Sequence, residues 1–222
     1  MEVKIIDTKV VSVKTINPDV ITGAIERSKI VGEVEGLYEV WINFGLGEMH
    51  ILNNLGFRNV PSPIETRYTW PGLYKPFEHQ KTTAAFLTLN RRAFCLNEMG
   101  TGKTCSVIWA FDYLMTLGII KRALIICPLS IMDAAWHKDL FITAMHRTID
   151  IAHGDKHKRK KIIRGDSEVV VINFDGVEIV EEDIARSDFD LIVVDEATYL
   201  KNVSTNRWKA VNRLVRPTTW LW

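Results

Sequence analysis

The sequence predicts an α/β fold, in which a parallel sheet with helices on both faces follows a small, mostly β N-terminal domain. Two observations lead to this prediction. Apolar runs of strand length alternate with helical patterns from residue 93 to residue 222, and such alternation is typical of parallel sheets. Residues 1–68 instead carry short β-branched runs separated by turn residues, which indicates a mostly β domain.

The predicted strands of the N-terminal domain are 3–6, 10–16, 30–34 and 37–44. Residues 17–19 form a turn signal, and a short helix is predicted over 48–55, with Gly56 as its cap. Prolines between residues 61 and 76 predict an extended connector. The second domain is therefore predicted to cover residues 69–222.

This second domain is predicted to alternate strands with helices. The predicted strands are 93–96, 122–127, 148–152, 168–173, 190–194 and 218–222. The predicted helices are 103–117, 131–143, 156–164 and 205–214. The acidic stretch 178–183 is interpreted as a solvated loop before the strand at 190–194.

The eight residues 97–104, NEMGTGKT, lie between a predicted strand and a predicted helix. Gly100 and Gly102 allow backbone N–H groups to turn toward an anion, and the helix N-terminus adds partial positive charge. Lys103 supplies a full charge, and the Thr104 hydroxyl is suited to ligate Mg²⁺. The segment therefore predicts a site for a nucleoside triphosphate.

Asn97 stands where the usual form of this loop begins with glycine. Nucleotide-driven motors often relax that position, so we interpret Asn97 as the mark of a subtype. The alternative is a glycine-rich turn that ends in a surface lysine. The flanking strand and helix patterns and the intact GKT favour the phosphate loop.

A second acidic motif, DLIVVDEAT at residues 190–198, follows about 90 residues after the loop. Its apolar run is typical of a parallel strand buried on both faces, and Asp195 and Glu196 follow at its carboxyl end, where open α/β sheets bind ligands. We assign Asp195 to Mg²⁺ through water and Glu196 to polarising an attacking water. The alternative is an acidic first turn of a helix.

The two motifs resemble motifs I and II of superfamily 2 helicases, and the chain resembles the Swi/Snf-type double-stranded DNA translocases in particular. Four further stretches resemble motifs of that group in the same order. They are 73–80, similar to the adenine-reading segment; 125–130, similar to motif Ia; 170–175, similar to the next strand-and-loop motif; and 200–202, similar to the sequel of motif II.

The resemblance implies that residues 69–222 form the first RecA-like lobe, with ATP and Mg²⁺ as cofactors. It implies a catalytic role for Lys103, Asp195 and Glu196, and Mg²⁺ ligation by Thr104 and Asp195. The implied nucleotide-binding residues are Gln80, Met99, Gly100, Thr101, Gly102, Lys103 and Thr104. The implied nucleic-acid contacts are Pro128, Leu129, Ser130 and Asn173.

Lys158 and Arg159 belong to the densest basic run, residues 156–161, and are further candidates for phosphate contact. The alternative is a solvated helix face, which charge runs usually form. The lysines and arginines of the N-terminal domain leave the same choice between nucleic-acid contact and a solvated sheet face, and the solvated face is favoured. Double-stranded DNA is the partner that the resemblance implies.

Two departures from the family pattern affect the expected activity. Thr198 stands where many relatives have a histidine that couples nucleotide state to nucleic-acid contact, and the sequence stops at Trp222, before motif III. The family completes its site with an arginine from a second RecA-like lobe. We therefore expect an ATP-dependent DNA helicase or translocase whose lobe, alone, is weak or inactive, with a second lobe in cis or in trans. The alternative is a nonhydrolytic nucleotide-sensing or protein-binding module.

Composition narrows the class of protein further. The net charge of the 222 residues is +1, so nucleic acid must be contacted through local patches. The three cysteines have no metal-type spacing, which indicates reduced thiols in a cytosol. No signal pattern or long apolar run is present. We expect a cytoplasmic protein, with DNA association possible and no membrane partner.

Overall fold

A computed structural model describes residues 2–98 and 100–222. The chain divides into two compact units, one formed by residues up to Thr69 together with Ala84–Asn90, and the other by Trp70–Thr83 and Arg91–Trp222. In the described residues, no helix has the length and apolar character needed to cross a membrane.

The first unit contains a four-stranded antiparallel sheet with the order β1-β2-β4-β3. Its strands are β1 (Glu2–Ile5), β2 (Val10–Thr15), β3 (Lys29–Val34) and β4 (Leu37–Asn43). Val11 pairs with Ile42 and Val13 with Val40, and these four side chains are at most 1% exposed. The alternation of side chains along paired strands therefore gives the sheet one apolar, buried face.

Three helices belong to this part of the chain: α1 (Asp19–Ala24), α2 (Leu46–Asn54) and α3 (Ile64–Arg67). The predicted turn at 17–19 leads directly into α1, because Pro18 has helical angles and its carbonyl accepts the first helical bonds. After α2, Gly56 has a φ of 85° and its N–H bonds to Asn53 O. Glycine takes this left-handed conformation without strain.

The second unit contains a five-stranded parallel sheet with the order β6-β7-β5-β8-β9. Its strands are β5 (Ala123–Cys127), β6 (Ile149–Ile151), β7 (Val169–Asn173), β8 (Leu191–Val194) and β9 (Trp220–Leu221). The helices of this unit are α5 (Lys103–Thr116), α6 (Lys138–Thr143), α7 (Lys156–Ile163), α8 (Phe174–Arg186) and α9 (Asn206–Leu214). The first part of helix α4 (Glu78–Leu89), up to Thr83, also belongs to it.

Both faces of the central strands β5 and β7 of the parallel sheet are buried. On one face, Leu124, Val170 and Ile192 join a core cluster with apolar residues of α8 and α9. The alternate residues Ile125 and Val171 point the other way and are also fully buried. The predicted α/β fold, with a parallel sheet and a separate β-rich region before it, is confirmed.

The strand predicted at 93–96 is not formed. Only its beginning reaches the sheet, where Arg92 forms a parallel bridge with Leu221 and the Ala93 N–H donates to Leu221 O. Beyond Ala93, the chain leaves the sheet, and Phe94 and Leu96 are 77% and 88% exposed. An apolar run alone therefore misled the prediction, because it does not supply the neighbouring strand that a β-strand needs.

The interpretation of 178–183 as a solvated loop is wrong, because these residues lie in the middle of α8. Val177, Val180 and Ile184 bury one side of this helix in the core cluster. Asp183 forms an ion pair with Lys160 on α7 at 3.3 Å. It forms a second one at 2.5 Å with Arg164, which directly follows α7. The acidic residues therefore occupy the sides of an amphipathic helix that is flanked by basic neighbours.

Ile184→Ala tests the packing of α8. Ile184 is 3% exposed, so we expect the free energy of unfolding to fall by about 2–5 kcal/mol through lost burial and a cavity. Urea denaturation measures this change, and Glu182→Ala on the exposed side of α8 is the matched control. An equal, small effect of both substitutions would contradict this packing.

Candidate functional site

The phosphate-loop sequence enters from the edge of the parallel sheet and leads into α5. Residues 91–93 run parallel to β9, with Leu221 N–H donating to Arg91 O at 2.7 Å. Gly100 and Gly102 have φ values of 77° and 73°. These left-handed positions favour glycine. Met99, which the resemblance assigns to nucleotide binding, lies outside the described residues.

Gln80 on α4 is held against this loop. Its Nε2 donates to Thr101 O at 3.3 Å, and its Oε1 accepts a bond from Phe77 N–H at 2.9 Å. A Cβ atom at Gly102 would overlap Gln80 Nε2. Two features therefore require glycine at position 102. One is the left-handed backbone angle, and the other is the close approach of Gln80, which is only 8% exposed.

Lys103 and Asn97 make contacts that hold the loop together. Lys103 Nζ donates to the carbonyl oxygens of Asn97 and Glu98, both at 2.9 Å. Asn97 Nδ2 donates to Thr83 Oγ1 on α4 at 2.7 Å. The residue that departs from the usual glycine thus links the start of the loop to the helix that carries Gln80.

Asp195 and Glu196 follow β8 at the carboxyl end of the sheet. The Asp195 N–H donates to Ile126 O at 2.9 Å. Its Oδ1 accepts a bond from the Glu196 N–H at 3.0 Å, and its Oδ2 accepts one from Trp136 Nε1 at 2.9 Å. Glu196 has a φ of 57°, a left-handed conformation that is uncommon for glutamate, and it is exposed to solvent.

The segment that leads to the loop and the strand that precedes the acidic pair end at the same edge of the sheet. Residues 91–93, β9 and β8 are consecutive parallel neighbours, so the segments that follow residue 93 and Val194 leave the sheet at the same end. Beside Asp195, Cys127 is fully buried. Burial and the negative charge of Asp195 raise the pKa of the Cys127 thiol to about 12, which keeps it neutral at physiological pH.

The oxygen ligands that Asp195 offers at this edge fit a magnesium ion that is bound together with phosphate. Among the described residues, no group of three or more His, Cys, Asp or Glu side chains could hold a metal alone. In the part of the chain that the structure describes, each Asp195 carboxylate oxygen accepts one hydrogen bond, which leaves a lone pair for a metal-bound water. Mg²⁺ is usually held in this way, by one or two protein oxygens, several waters and substrate phosphates.

A cleft of about 420 Å³ opens at the carboxyl ends of β5 and β7. It is lined by Pro128, Leu129, Ser130, Asn173, Phe174, Asp175, Tyr199 and Arg207. The first four are the residues that the sequence predicted to contact nucleic acid. The structure therefore brings two separate motifs to one concave surface.

Sequence reasoning did not assign the aromatic and basic residues of this cleft to nucleic-acid contact, although Phe174 lies in the motif-like stretch 170–175. Phe174 and Tyr199 stack with nearly parallel rings, whose centroids are 5.1 Å apart and whose interplanar angle is 7°. Arg207 on α9 pairs with Asp175 at 2.6 Å. The aromatic position directly after DEAT was a signal for Tyr199, whereas nothing in the sequence connects Arg207 to residues 128–130.

Lys158 and Arg159 have different environments. Lys158 is exposed on α7. Arg159 is 6% exposed, and its guanidinium donates to Ala152 O at 2.6 Å and to Asn173 Oδ1 at 2.9 Å. Arg159 thus ties the ends of β6 and β7 together behind the cleft, whereas Lys158 presents its charge to solvent.

Comparison with known proteins gives the same assignment as the motifs. The SNF2-related domain family matches residues 79–222, which is well over half of the chain. The chain belongs to this family. Its relatives include an uncharacterised ATP-dependent helicase of Bacillus subtilis, 26% identical over 64% of this chain, and the ATP-dependent helicase fft2 of Schizosaccharomyces pombe, 28% identical over 53%.

The SNF2-related chain matches only part of these longer proteins, 25% of the Bacillus subtilis relative and 10% of fft2. Two solved structures of the SWI2/SNF2 ATPase core of Sulfolobus solfataricus share its fold. One is a complex with double-stranded DNA, with a TM-score of 0.58, 23% identity and coverage of 68% of this chain and 32% of that chain. The other has a TM-score of 0.55, 22% identity and coverage of 71% and 32%.

Gly102→Ala tests the contact between Gln80 and the loop. Gly118→Ala is the matched control, because Gly118 has a similar φ of 69° but no neighbouring atom within 4 Å. Both changes introduce left-handed strain of about 1–2 kcal/mol, and Gly102→Ala also displaces Gln80. We expect the larger loss of unfolding free energy at Gly102, and the excess should vanish in a Gln80→Ala background. An excess that persisted there would contradict the contact.

Proposed function

We propose that this chain forms the first RecA-like lobe of an ATP-dependent DNA translocase of the Swi/Snf-like group. The observation that carries the proposal is the common edge of the parallel sheet, to which the segment before the loop at 97–104, the strand before Asp195 and the strands beside the cleft all lead. Family membership and relatives that are named ATP-dependent helicases support it.

In the proposed nucleotide site, the loop residues Gly100, Thr101 and Gly102 direct backbone N–H groups to the phosphates, and Lys103 adds positive charge. Lys103 Nζ has three N–H bonds, and two of them go to loop carbonyl oxygens. Within the described residues, this leaves the third N–H of Lys103 for a phosphate oxygen. Gln80, held at the loop by Thr101 O, is assigned to the adenine base, as in the family.

Thr104 and Asp195 would hold a magnesium ion in this site. Such an ion, when bound with ATP, neutralises charge on the phosphates. Glu196 is the proposed residue that orients and polarises the attacking water, because it is exposed at the end of β8 and its left-handed backbone turns it away from the strand.

Double-stranded DNA is the proposed partner of the cleft at residues 128–130 and 173. The cleft combines a hydroxyl, an amide and the guanidinium of Arg207, and such groups bind phosphate oxygens. Lys158 extends the positive charge at the same sheet edge, since α7 follows β6 and Arg159 fastens it to Asn173. The Sulfolobus solfataricus ATPase core, which shares this fold, forms a complex with double-stranded DNA, and that complex supports DNA as the class of partner.

A second RecA-like lobe, in cis or in trans, is part of the proposal. In nucleotide hydrolases of this kind, an arginine from outside the phosphate loop stabilises the transferring phosphoryl group and accelerates the reaction by about 10³–10⁵. The chain spans a quarter or less of the length of the relatives quoted above. We therefore propose that these 222 residues alone bind ATP and hydrolyse it slowly.

Lys103→Ala is expected to weaken binding of Mg²⁺·ATP by at least about tenfold, because it removes the full charge that faces the phosphates. Isothermal titration calorimetry measures the dissociation constant. The exposed Lys121→Ala is the control and should bind like the wild type. Equal binding by both variants would refute the nucleotide site. If a two-lobe form showed no Glu196-dependent hydrolysis of ATP, the translocase proposal would fail and a nonhydrolytic role for this lobe would be favoured.

Arg207→Ala is expected to weaken duplex DNA binding and to reduce the slope of log affinity against log salt by about one, through one lost phosphate contact. Arg213→Ala is the matched control. Both arginines lie on α9 and pair with acidic residues of α8, at 2.6 Å for Arg207 and 2.5 Å for Arg213, but only Arg207 lines the cleft. Fluorescence anisotropy over a salt series measures these slopes. Equal slopes for Arg207→Ala and Arg213→Ala would contradict the assignment of the cleft to DNA.

A further inference from the structure

The buried Trp136 makes a hydrogen bond to Asp195, the first residue of the acidic pair. Its indole is 2% exposed, and its Nε1–H donates to Asp195 Oδ2 at 2.9 Å. The two residues are 59 positions apart in the sequence. An indole N–H can only donate and usually finds a partner when buried. Here that partner is the carboxylate proposed to hold magnesium through water.

The backbone around Trp136 places it for this contact. Residues Met132–His137 form a π-helical turn that directly follows the 3₁₀ turn Leu129–Ile131. π-helical turns are rare and are frequent at functional sites. The segment that carries Trp136 therefore begins at the wall of the cleft and ends at the acidic pair.

The chemistry of the donor determines what this contact does. Asp195 is held from two directions, by Trp136 at Oδ2 and by its neighbour's N–H at Oδ1, so its carboxylate has one orientation. Both donors are neutral. Within the described residues, Asp195 has no ion pair with a lysine, arginine or histidine. A cationic hydrogen-bond donor would offset the negative charge of Asp195, which attracts Mg²⁺. The neutral indole N–H of Trp136 does not reduce this charge.

We propose that Trp136 is a positioning residue that orients Asp195 and thereby sets the affinity of the nucleotide site for Mg²⁺. The proposal rests on the ATP and Mg²⁺ site proposed above. Residues that orient a metal ligand by hydrogen bonding typically change metal affinity by about 10–100-fold when they are lost. Trp136 acts through Asp195 and does not itself touch the nucleotide or the metal.

Trp136→Phe removes the N–H and keeps an aromatic ring. ATP binding to the 222-residue chain is measured by calorimetry twice, in EDTA and in excess Mg²⁺. We expect the EDTA value to stay as in the wild type and the Mg²⁺-dependent gain in affinity to fall about tenfold. An unchanged gain would overturn the proposal, and so would an equal loss in EDTA and in Mg²⁺.

Trp109→Phe is the matched control. Trp109 is also 2% exposed, and its Nε1–H donates at 2.9 Å to a backbone carbonyl, that of Pro71. Both variants thus lose the hydrogen bond of a buried indole N–H. Only Trp136→Phe loses a hydrogen bond to Asp195. The Mg²⁺-dependent gain should be retained in Trp109→Phe. A similar fall in both variants would indicate a purely structural effect and overturn the proposal.

A double-mutant cycle separates positioning from packing. Asp195→Asn should reduce the Mg²⁺-dependent gain to the part that Thr104 and the ATP phosphates supply, and Trp136→Phe should then reduce it no further in the Asp195→Asn background. Additive losses would refute the proposal. If the wild type does not bind Mg²⁺·ATP, the proposed function fails together with this inference. If the wild type binds Mg²⁺·ATP but Trp136→Phe leaves the Mg²⁺-dependent gain unchanged, only this inference fails.

A measurement on the wild type covers the case in which Trp136→Phe does not fold. Chain labelled with ¹⁵N at its seven tryptophans gives indole N–H signals, and Asp195→Asn identifies that of Trp136 by its shift. Addition of Mg²⁺ to the ATP-bound wild type should move this signal and leave that of Trp109 in place. A Trp136 signal that does not respond to Mg²⁺ would overturn the proposal.

Discussion

Parallel pairing of β5 with both β7 and β8 is the constraint on which the site depends. Because these strands run in one direction, the segments that follow them leave the sheet at one edge. The register places Cys127 opposite Asn173 and Ile126 opposite Val194, so the motif Ia segment, Asn173 and Asp195 begin at similar levels. A shift of one residue would reverse the side of the sheet to which each side chain points and would separate these groups.

Buried side-chain bonds then hold the loops at this edge. Gln80 bonds to the phosphate loop, Arg159 joins the ends of β6 and β7, and Trp136 holds Asp195. Each of these side chains is less than 9% exposed, so its bonds form where water cannot compete. The edge is thus pre-organised by donors that lie on helices. Pre-organisation of this kind is what a charged ligand requires, because it leaves little reorganisation to occur on binding.

Sequence patterns were sufficient to predict the two segments whose backbone structure is set locally. The loop before Lys103 and the apolar strand before Asp195 carry their own signals, since turn, charge and burial are encoded within a few residues. The failures concern contacts made at a distance. The run 93–96 lacks a strand partner beyond Ala93, and the acidic residues of α8 are paired by basic residues of α7 and α9. Arg159 looked like its exposed neighbour Lys158, because burial of one residue in a basic run depends on what packs against it.

The three cysteines have different chemical environments, which has a practical consequence. Burial raises the pKa of the Cys127 and Cys105 thiols, that of Cys127 to about 12, and the neutral thiol is a poor nucleophile. Cys95 is partly exposed, two residues before the phosphate loop at 97–104. Thiol-directed dyes therefore favour Cys95, so the native sequence already provides an attachment point for a fluorophore beside the loop, without replacement of the other two cysteines.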